Sequence, residues 1–367
     1  MYSSSVRPCA VHWFHWTVKR RKWDPMKTKN SRRLENLFAL RSKVSASIVG
    51  KLYHSIPISG QIISLGIVAL IFSVGTNGQF LHISNIMTVL GLSAIPMILC
   101  LAVHQVIILG AMDLSLEGIV AITAVSAGLL LKNSVTANDV GLWIIPIVML
   151  IGGLAGLVNG LLNTKLRMPS FISTLGMSWT LFGVAIMISK GSSIPLRDLR
   201  FQKVIISEFL GIPTVFILAI LLGLVLYIMQ NKTKLGKHMY AIGGNEILAK
   251  QAGVKVDRIK ISIFGLTGMI YGLAGLLLVA RLNSSAARYG NNLLFPAMTA
   301  VAVGGVSLSG GVGGALNAVI GTIIVVALNN GLVLMQINPY MQSAVNGIVL
   351  ISAVALTIDR NKIGIIK

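Results

Sequence analysis

Runs of apolar residues, most of them near the roughly 20 residues that a membrane-spanning helix needs, occupy the greater part of this chain. Backbone polar groups find no water inside a bilayer, so a chain of this kind crosses it as helices. The runs lie at residues 62–80, 86–109, 115–131, 142–162, 171–188, 212–229, 261–280, 296–306, 315–335 and 341–358. The sequence therefore predicts an all-α fold, a polytopic transmembrane helical bundle of about eight to ten spans, because the eighth run is short.

The basic residues lie in segments that flank the apolar runs. The formal net charge is +21, and seven of the 31 Lys and Arg residues fall within residues 231–260. Basic flanks mark the cytoplasmic side of a membrane protein, so the charge favours topology and contact with anionic membrane lipids over nucleic-acid binding. Ten crossings from a cytoplasmic N-terminus put residues 165–167, 231–260 and 360–367 inside. The loop at residues 190–211 is predicted outside, although it holds four basic residues.

The chain divides into three parts by composition. Residues 1–60 form a basic cytoplasmic N-terminal segment, residues 61–359 the transmembrane domain, and residues 360–367 a cytoplasmic tail. Three of the five Trp residues precede Asp24, and a more ordinary composition begins at Met26. We therefore interpret residues 1–25 as a start-site artefact or a disordered extension.

Residues 231–260 form the longest polar interval between apolar runs, and they predict a short cytoplasmic helix. Gly243 and Gly244 predict a flexible turn, and Asn245 then serves as the helix N-cap. Glu246 favours the positive end of the helix dipole, Ala249 lies within the helix, and Gly253 ends it. Such a helix suits docking into a groove on a partner, and the alternative is a surface helix that only connects two spans.

Asp113 and Glu117 are the acidic residues found between Glu35 and Asp139, and they lie between two apolar runs. Ionisable residues inside a membrane are costly and are therefore candidates for function. Both also suit the start of a helix, with Asp113 as its N-cap and Glu117 in its first turn. The spacing favours this capping role over a role in binding a solute or an ion.

No arrangement of residues in the sequence indicates an enzyme. The chain contains neither a nucleophile elbow nor the glycine-rich loop with Lys that holds ATP phosphates, and it shows no metal-ligand spacing. His104 is isolated in an apolar run, which is typical of a hydrogen-bonded core residue. Cys9 and Cys100 indicate free thiols. We predict no cofactor, and any ATP would be bound by a separate subunit.

Two short sequence echoes suggest an internal repeat of two halves. Gly110-Ala-Met-Asp-Leu-Ser115 resembles Gly304-Gly-Val-Ser-Leu-Ser309, and Asn159-Gly-Leu161 resembles Asn330-Gly-Leu332. Paired segments of this kind in the two halves of a transporter are typical of broken helices beside the substrate path. Chance matches in low-complexity membrane sequence are the alternative.

Several motifs in a fixed order resemble the permease subunits of bacterial sugar-type ATP-binding-cassette importers, including the ribose, xylose, galactose and autoinducer-2 permeases. The motifs are Tyr240-Ala-Ile-Gly-Gly-Asn-Glu246, Gly253-Val-Lys-Val-Asp-Arg-Ile-Lys260, Gly160-Leu-Leu-Asn-Thr-Lys-Leu-Arg-Met-Pro-Ser-Phe-Ile-Ser-Thr-Leu-Gly176, Ala280-Arg-Leu-Asn-Ser284, Ala300-Val-Ala-Val-Gly-Gly-Val-Ser-Leu-Ser-Gly-Gly311 and Asn329-Asn-Gly-Leu332. The likeness covers residues 61–359. The chain departs from the family pattern in its long basic N-terminal tail and at Glu117, where a small or uncharged residue is expected.

This resemblance implies a multi-pass permease of the bacterial inner membrane that translocates a monosaccharide or a related small polar solute. It implies a cytoplasmic ATPase, a second permease copy or a paralogue, and a periplasmic sugar-binding protein as partners. The implied ATPase-coupling helix comprises Gly243, Gly244, Asn245, Glu246, Ala249 and Gly253. The candidate translocation path comprises Asp113, Ser115, Asn159, Ser173, Asn283 and Ser307. The alternatives are a nucleoside or branched-chain amino acid permease of the same architecture, or an ion-coupled secondary transporter.

Overall fold

A computed structural model describes residues 59–357, which form a mostly helical bundle. The predictions made for residues 1–58 and 358–367 lie outside the described residues. The α-helices are α1 (Ser59–Gly75), α2 (Ile83–Ile108), α3 (Leu116–Leu130), α4 (Ile144–Thr164), α5 (Ser170–Ser189), α6 (Leu199–Ile206), α7 (Thr214–Lys232), α8 (Lys234–Gly244), α9 (Glu246–Gln251), α10 (Val256–Leu282), α11 (Leu294–Val303), α12 (Ala315–Leu334) and α13 (Pro339–Thr357). The short 3-10 helices are Gln79–Leu81, Gly141–Trp143 and Ala287–Gly290.

Each predicted apolar run lies on a helix, so the prediction of a polytopic transmembrane bundle is confirmed. Six helices within residues 59–357 are long and apolar enough to cross a membrane, namely α2, α4, α5, α7, α10 and α12. The helices α1, α3 and α13 are shorter apolar helices. The eighth run, predicted to be short, is α11, which has only 10 residues.

The core of the bundle is built around α2 and the close pair α4 and α10. Residues 97–108 of α2 are almost completely buried on every side, as expected for a helix that is apolar all round. Glycines let α4 and α10 approach to backbone contact. A Cβ atom on Gly152 would lie 2.1 Å from the Gly268 carbonyl oxygen, and one on Gly156 would lie 2.0 Å from the Phe264 carbonyl oxygen. Small residues at such positions are the usual means of packing membrane helices tightly.

The loops that follow α3, α5 and α10 meet on one side of the bundle, which we call the loop face. The strands β1 (Ile194–Pro195) and β4 (Ser284–Ser285) pair there as an antiparallel ladder. Arg197 N donates to Lys132 O at 2.8 Å, which ties the first two loops together. The strands β2 (Glu208–Phe209) and β3 (Ile212–Pro213) form a second small ladder after α6. The spans α7 and α10 each connect this face to residues 231–260, which therefore lie on the opposite side, the interval face.

The loop at residues 190–211 was predicted to lie outside although it holds four basic residues. One of them, Arg200, belongs to an ion-pair cluster on the loop face. Arg200 Nη2 lies 2.6 Å from Asp198 Oδ2 and also contacts Asp139. Hydrogen bonding from Arg200 holds the pKa of the Asp198 carboxyl below its usual range. The charge of Arg200 is thus partly neutralised within the loops rather than left to interact with lipid phosphates.

Candidate functional site

The chain between α2 and α3, residues 109–115, is the first broken segment. Gly110 ends α2 in a left-handed conformation with φ of 75°, which glycine adopts at little cost. Gly110 N donates to Ile107 O at 2.8 Å, and Ala111 N donates to Val106 O at 3.2 Å. The backbone then runs without helical hydrogen bonds as far as Ser115.

Hydroxyl groups of α5 satisfy the backbone of this segment and the first turn of α3. Three bonds connect them, from Met112 N to Ser170 Oγ at 3.0 Å, from Leu114 N to Thr174 Oγ1 at 3.0 Å and from Gly118 N to Ser178 Oγ at 3.1 Å. An unpaired N–H inside a bilayer costs several kcal/mol (order of magnitude), so these hydroxyls make the irregular backbone tolerable. Sequence reasoning missed Ser170, Thr174 and Ser178, although their spacing of four residues puts them on one face of a helix.

Asp113, Ser115 and Asn159 form a buried polar cluster beside the first broken segment. Asp113 Oδ1 accepts from Ser115 N at 2.9 Å and from Ser115 Oγ at 2.6 Å, and Asn159 Nδ2 donates to Ser115 Oγ at 2.9 Å. The prediction that Asp113 caps α3 is wrong, because Ser115 holds the N-cap position and Asp113 closes the turn before it. Glu117 does lie in the first turn of α3, as predicted.

The hydrogen bonds of the other three candidate path residues go to partners outside this cluster. Ser173 is buried on α5 and donates to Ser170 O at 3.1 Å. Asn283 ends α10 on the loop face, where its carbonyl oxygen accepts from Leu196 N at 3.1 Å. Ser307 lies between α11 and α12, and its N–H donates to Val312 O at 3.1 Å. The structure therefore joins three of the six predicted residues by hydrogen bonds and places Asn283 and Ser307 in other segments, while Ser173 lies next to Thr174, which bonds the first broken segment.

The chain between α11 and α12, residues 304–314, is the second broken segment, and it begins in the same way as the first. Gly305 has φ of 79°, Gly305 N donates to Ala302 O at 2.9 Å, and Val306 N donates to Val301 O at 3.2 Å. Gly110 therefore corresponds to Gly305, one residue later than the sequence echo suggested.

The second echo does not fall on corresponding helices. Asn159 is in α4, the second helix after the first broken segment, whereas Asn330 is in α12, the helix directly after the second one. The two residues also bond differently, since Asn159 donates to Ser115 and Asn330 Nδ2 donates to Asn85 Oδ1 at 2.7 Å. Of the two echoes, only the first therefore coincides with a structural likeness, at the helix ends Gly110 and Gly305.

Gln230, at the end of α7, forms a hydrogen bond with the start of α12. Its Oε1 accepts from Ala315 N at 2.9 Å, and its Nε2 lies 2.7 Å from His104 Nε2 and 3.0 Å from Gln105 Oε1. His104 is fully buried and hydrogen-bonded, which confirms the interpretation of that residue as part of the core.

The polar interval, residues 231–260, contains α8 and α9. Asn245 caps α9 as predicted, with its Oδ1 accepting from Leu248 N at 3.0 Å, and Gly253 follows α9 with φ of 84°. Glu246 Oε2 is 2.7 Å from Lys260 Nζ, which links α9 to the start of α10. Ala249 is buried against the bundle, whereas α9 leaves Ile247 70% and Leu248 61% exposed.

The prediction of a flexible turn at Gly243 and Gly244 is wrong, because both residues belong to the last turn of α8. A Cβ atom on Gly243 would lie 1.8 Å from Ile108 O and 2.6 Å from Gly311 N, so only glycine fits there. Gly311 N donates to the same Ile108 O at 2.9 Å, and Gly310 packs against Gly110. We call Gly110, Gly243, Gly310 and Gly311 the glycine junction, since it joins the polar interval to both broken segments.

Comparison with known proteins identifies the family. Residues 85–354 match the family described as "Branched-chain amino acid transport system / permease component". This chain belongs to that permease family. It is 37% identical over 310 residues to the ribose import permease protein RbsC of Bacillus subtilis, covering 83% of this chain and 92% of the relative. No solved structure matches the chain.

Two further relatives are similar over nearly the same length. The probable ABC transporter permease protein YphD of Escherichia coli is 33% identical over 299 residues, which cover 82% of this chain and 89% of the relative. The galactose/methyl galactoside import permease protein MglC of Haemophilus influenzae is 33% identical over 310 residues, which cover 80% of this chain and 91% of the relative. The chain is thus a permease component of an ATP-binding-cassette importer, a multi-pass protein of the bacterial inner membrane, and not an enzyme.

Proposed function

We propose that this permease imports a monosaccharide or a related small polar solute and that a separate cytoplasmic ATPase drives it by docking on α9. The exposed Ile247 and Leu248 on a capped helix carry this proposal. An apolar helix face outside the membrane is costly in water and suits a groove on a partner. The relatives named for ribose and galactose import support a sugar as the solute.

The glycine junction provides a route by which a movement of α9 would reach the solute path. The Asn245 N–H donates to Ala241 O, so α9 continues directly from α8, whose Gly243 touches both broken segments. Tyr240, also on α8, donates its hydroxyl to Gly313 O at 2.7 Å. In this proposal the ATPase moves α8 and α9, and the backbone contacts at the junction pass the displacement to residues 109–115 and 304–314.

The complete importer is proposed to contain a second permease copy or a paralogue and an external sugar-binding protein that delivers the solute to the loop face. Asp113, Ser115 and Asn159 are fully or nearly fully buried, which supports a role in holding the first broken segment beside the path. Seven basic residues in the polar interval support a cytoplasmic position and contact with anionic lipids.

Copurification tests the docking of the ATPase. The ATPase encoded with this permease is purified with wild type, with Ile247→Asp combined with Leu248→Asp, and with Leu210→Asp as control. Leu210 is 87% exposed on the loop face, opposite the proposed contact. We expect the double variant to copurify at most about one tenth of the ATPase that wild type does, because buried apolar anchors dominate interface energies. Equal recovery with all three chains would contradict the proposal.

Branched-chain amino acids are the second candidate solute, because the matched family is described by their transport. Uptake of labelled ribose, galactose and leucine into vesicles containing the permease, its ATPase and its binding protein separates the two. We expect ATP-dependent uptake of a monosaccharide and none of leucine. Leucine uptake without monosaccharide uptake would favour the second candidate.

A further inference from the structure

Glu117 caps α11, a helix that begins about 176 residues later in the chain. Its Oε1 atom accepts hydrogen bonds from Leu293 N and Leu294 N, each at 3.1 Å. Leu294 is the first residue of α11, and the side chain of its N-cap residue makes no capping bond. The backbone supports the approach, because a Cβ atom on Gly290 would lie 2.2 Å from Glu117 O. The carboxyl group that departs from the family pattern thus occupies the N-terminus of the short helix α11.

The lengths of α3 and α11 place this contact near the middle of the membrane-spanning part of the bundle. From Glu117, α3 rises about 20 Å to its end at the loop face, at 1.5 Å per helical residue. In the other direction, the 10 residues of α11 cover about 15 Å before the second broken segment reaches the interval face. A carboxyl group at this depth needs strong compensation, and the two backbone N–H groups provide it.

The backbone around the contact indicates an aqueous path. Residues 291–293 are not helical, and the side chains of Asn291 and Asn292 are exposed. Asn292 also has a positive φ of 61°. Irregular backbone with exposed amides is tolerated at membrane depth only where it is covered by protein or lines a water-filled cavity. Glu117 is itself partly exposed beside these residues.

The N-terminus of a broken helix is where a transporter binds the anionic group of a solute, because unpaired N–H groups and the helix dipole point there. In this chain those groups are already bonded to Glu117. We infer that Glu117 is a specificity-determining residue that fills the anion site at α11, so that the path accepts neutral polyhydroxylated solutes and rejects carboxylates. The amides of Asn291 and Asn292 supply donors and acceptors for solute hydroxyls. The inference rests on the proposed function and narrows its solute class.

A chemical-rescue experiment tests the occupied anion site. The complete importer is reconstituted in vesicles with wild type, Glu117→Ala or Glu117→Gln, and ribose uptake is measured in sodium acetate and in sodium chloride of equal ionic strength. In chloride, we expect ribose uptake by Glu117→Ala to be about fivefold lower than uptake by wild type, as for a lost N-cap. In acetate, we expect most of this uptake to be restored. Wild type and Glu117→Gln, which both keep an acceptor, should respond equally to the two salts. Equal uptake by Glu117→Ala in both salts would overturn the inference.

Competition by a sugar acid supplies a second measurement, in which each variant is compared with its own uptake, so that a smaller folded fraction of Glu117→Ala does not change the result. Ribonate is enclosed in the vesicles, where it enters the path from the cytoplasmic side, while excess loaded binding protein delivers ribose from outside. We expect ribonate to inhibit Glu117→Ala about tenfold more strongly than wild type or Glu117→Gln, because only the alanine variant leaves the N–H groups of Leu293 and Leu294 open to a carboxylate. Equal sensitivity of all three would overturn the inference. Failure of wild type to import ribose or galactose would instead contradict the proposed function.

Discussion

The two broken segments begin alike but are held by different parts of the molecule. Residues 109–115 are fixed by neighbouring transmembrane helices, through hydroxyls of α5 and the cluster at Asp113. Residues 304–314 are fixed by the end of α7 and by α8, through Gln230 and Tyr240. The first segment is therefore anchored within the membrane, and the second is anchored to the polar interval. A displacement of α8, which contacts both segments at the glycine junction, would therefore move the second segment further than the first.

The largest expected effect tests the glycine junction where the two segments meet. Gly243→Ala puts a methyl group 1.8 Å from Ile108 O, so α8 must separate from both segments. Overpacking against backbone costs about 3 kcal/mol or more, and we expect a large loss of thermal stability and of uptake. Gly244→Ala is the matched control, since a Cβ there has no atom within 4 Å. Thermal denaturation of the purified permease measures both variants. Equal stability would break the link between the polar interval and the segments.

A second prediction concerns the anchoring of the first segment by α5. Ser178→Ala removes the acceptor of Gly118 N and leaves a buried donor unpaired, which costs about 1–3 kcal/mol. Thr180→Ala is the control on the same helix, because the Thr180 hydroxyl is exposed and bonds only the Gly176 carbonyl. Denaturation midpoints of both variants are compared with wild type. If the denaturation midpoint falls no further for Ser178→Ala than for Thr180→Ala, the Ser178 hydroxyl does not help α5 to hold the segment.

The smallest expected effect is at the loop face, which lies outside both segments. Hydrogen bonding from Arg200 lowers the pKa of Asp198 in the folded protein, so its stabilisation is present above the unfolded pKa near 4 and is lost as pH falls through the lower folded value. Because Arg200 is 45% exposed, we expect less than about 1 kcal/mol. Stability measured from pH 6 to pH 3 should fall more steeply for wild type than for Asp198→Asn. Parallel stability curves for wild type and Asp198→Asn would show that this ion pair does not stabilise the loop face.

Local sequence signals predicted the features that depend on local physics. Asn245 and Gly253 delimit α9 because an amide oxygen caps a helix and glycine tolerates a positive φ, whatever the rest of the fold. The same holds for the spans, whose length and apolarity follow from bilayer thickness. The pattern also placed Glu117 correctly in the first turn of α3.

Errors arose where a residue bonds to a partner far along the chain. Gly243 and Gly244 have the composition of a turn, but α8 continues through them because Gly243 packs against Ile108 and Gly311. Asp113 is an error of a different kind, because it suits a helix cap but closes the turn before Ser115, two residues on, and Ser115 holds the N-cap position. Ser170, Thr174 and Ser178 were missed because hydroxyls in a membrane helix usually bond their own backbone, and only the neighbouring segment gives them acceptor roles.

The sequence by itself determined that the chain is a membrane bundle and that residues 231–260 contain a short capped helix, since apolar length and capping act within a few residues. The tertiary structure alone decided that α8 meets both broken segments at glycines and that Glu117 caps α11 across 176 residues of chain. Such contacts depend on how closely helices approach, which is set by the packing of the whole bundle. The specificity proposed for this permease rests on one of them.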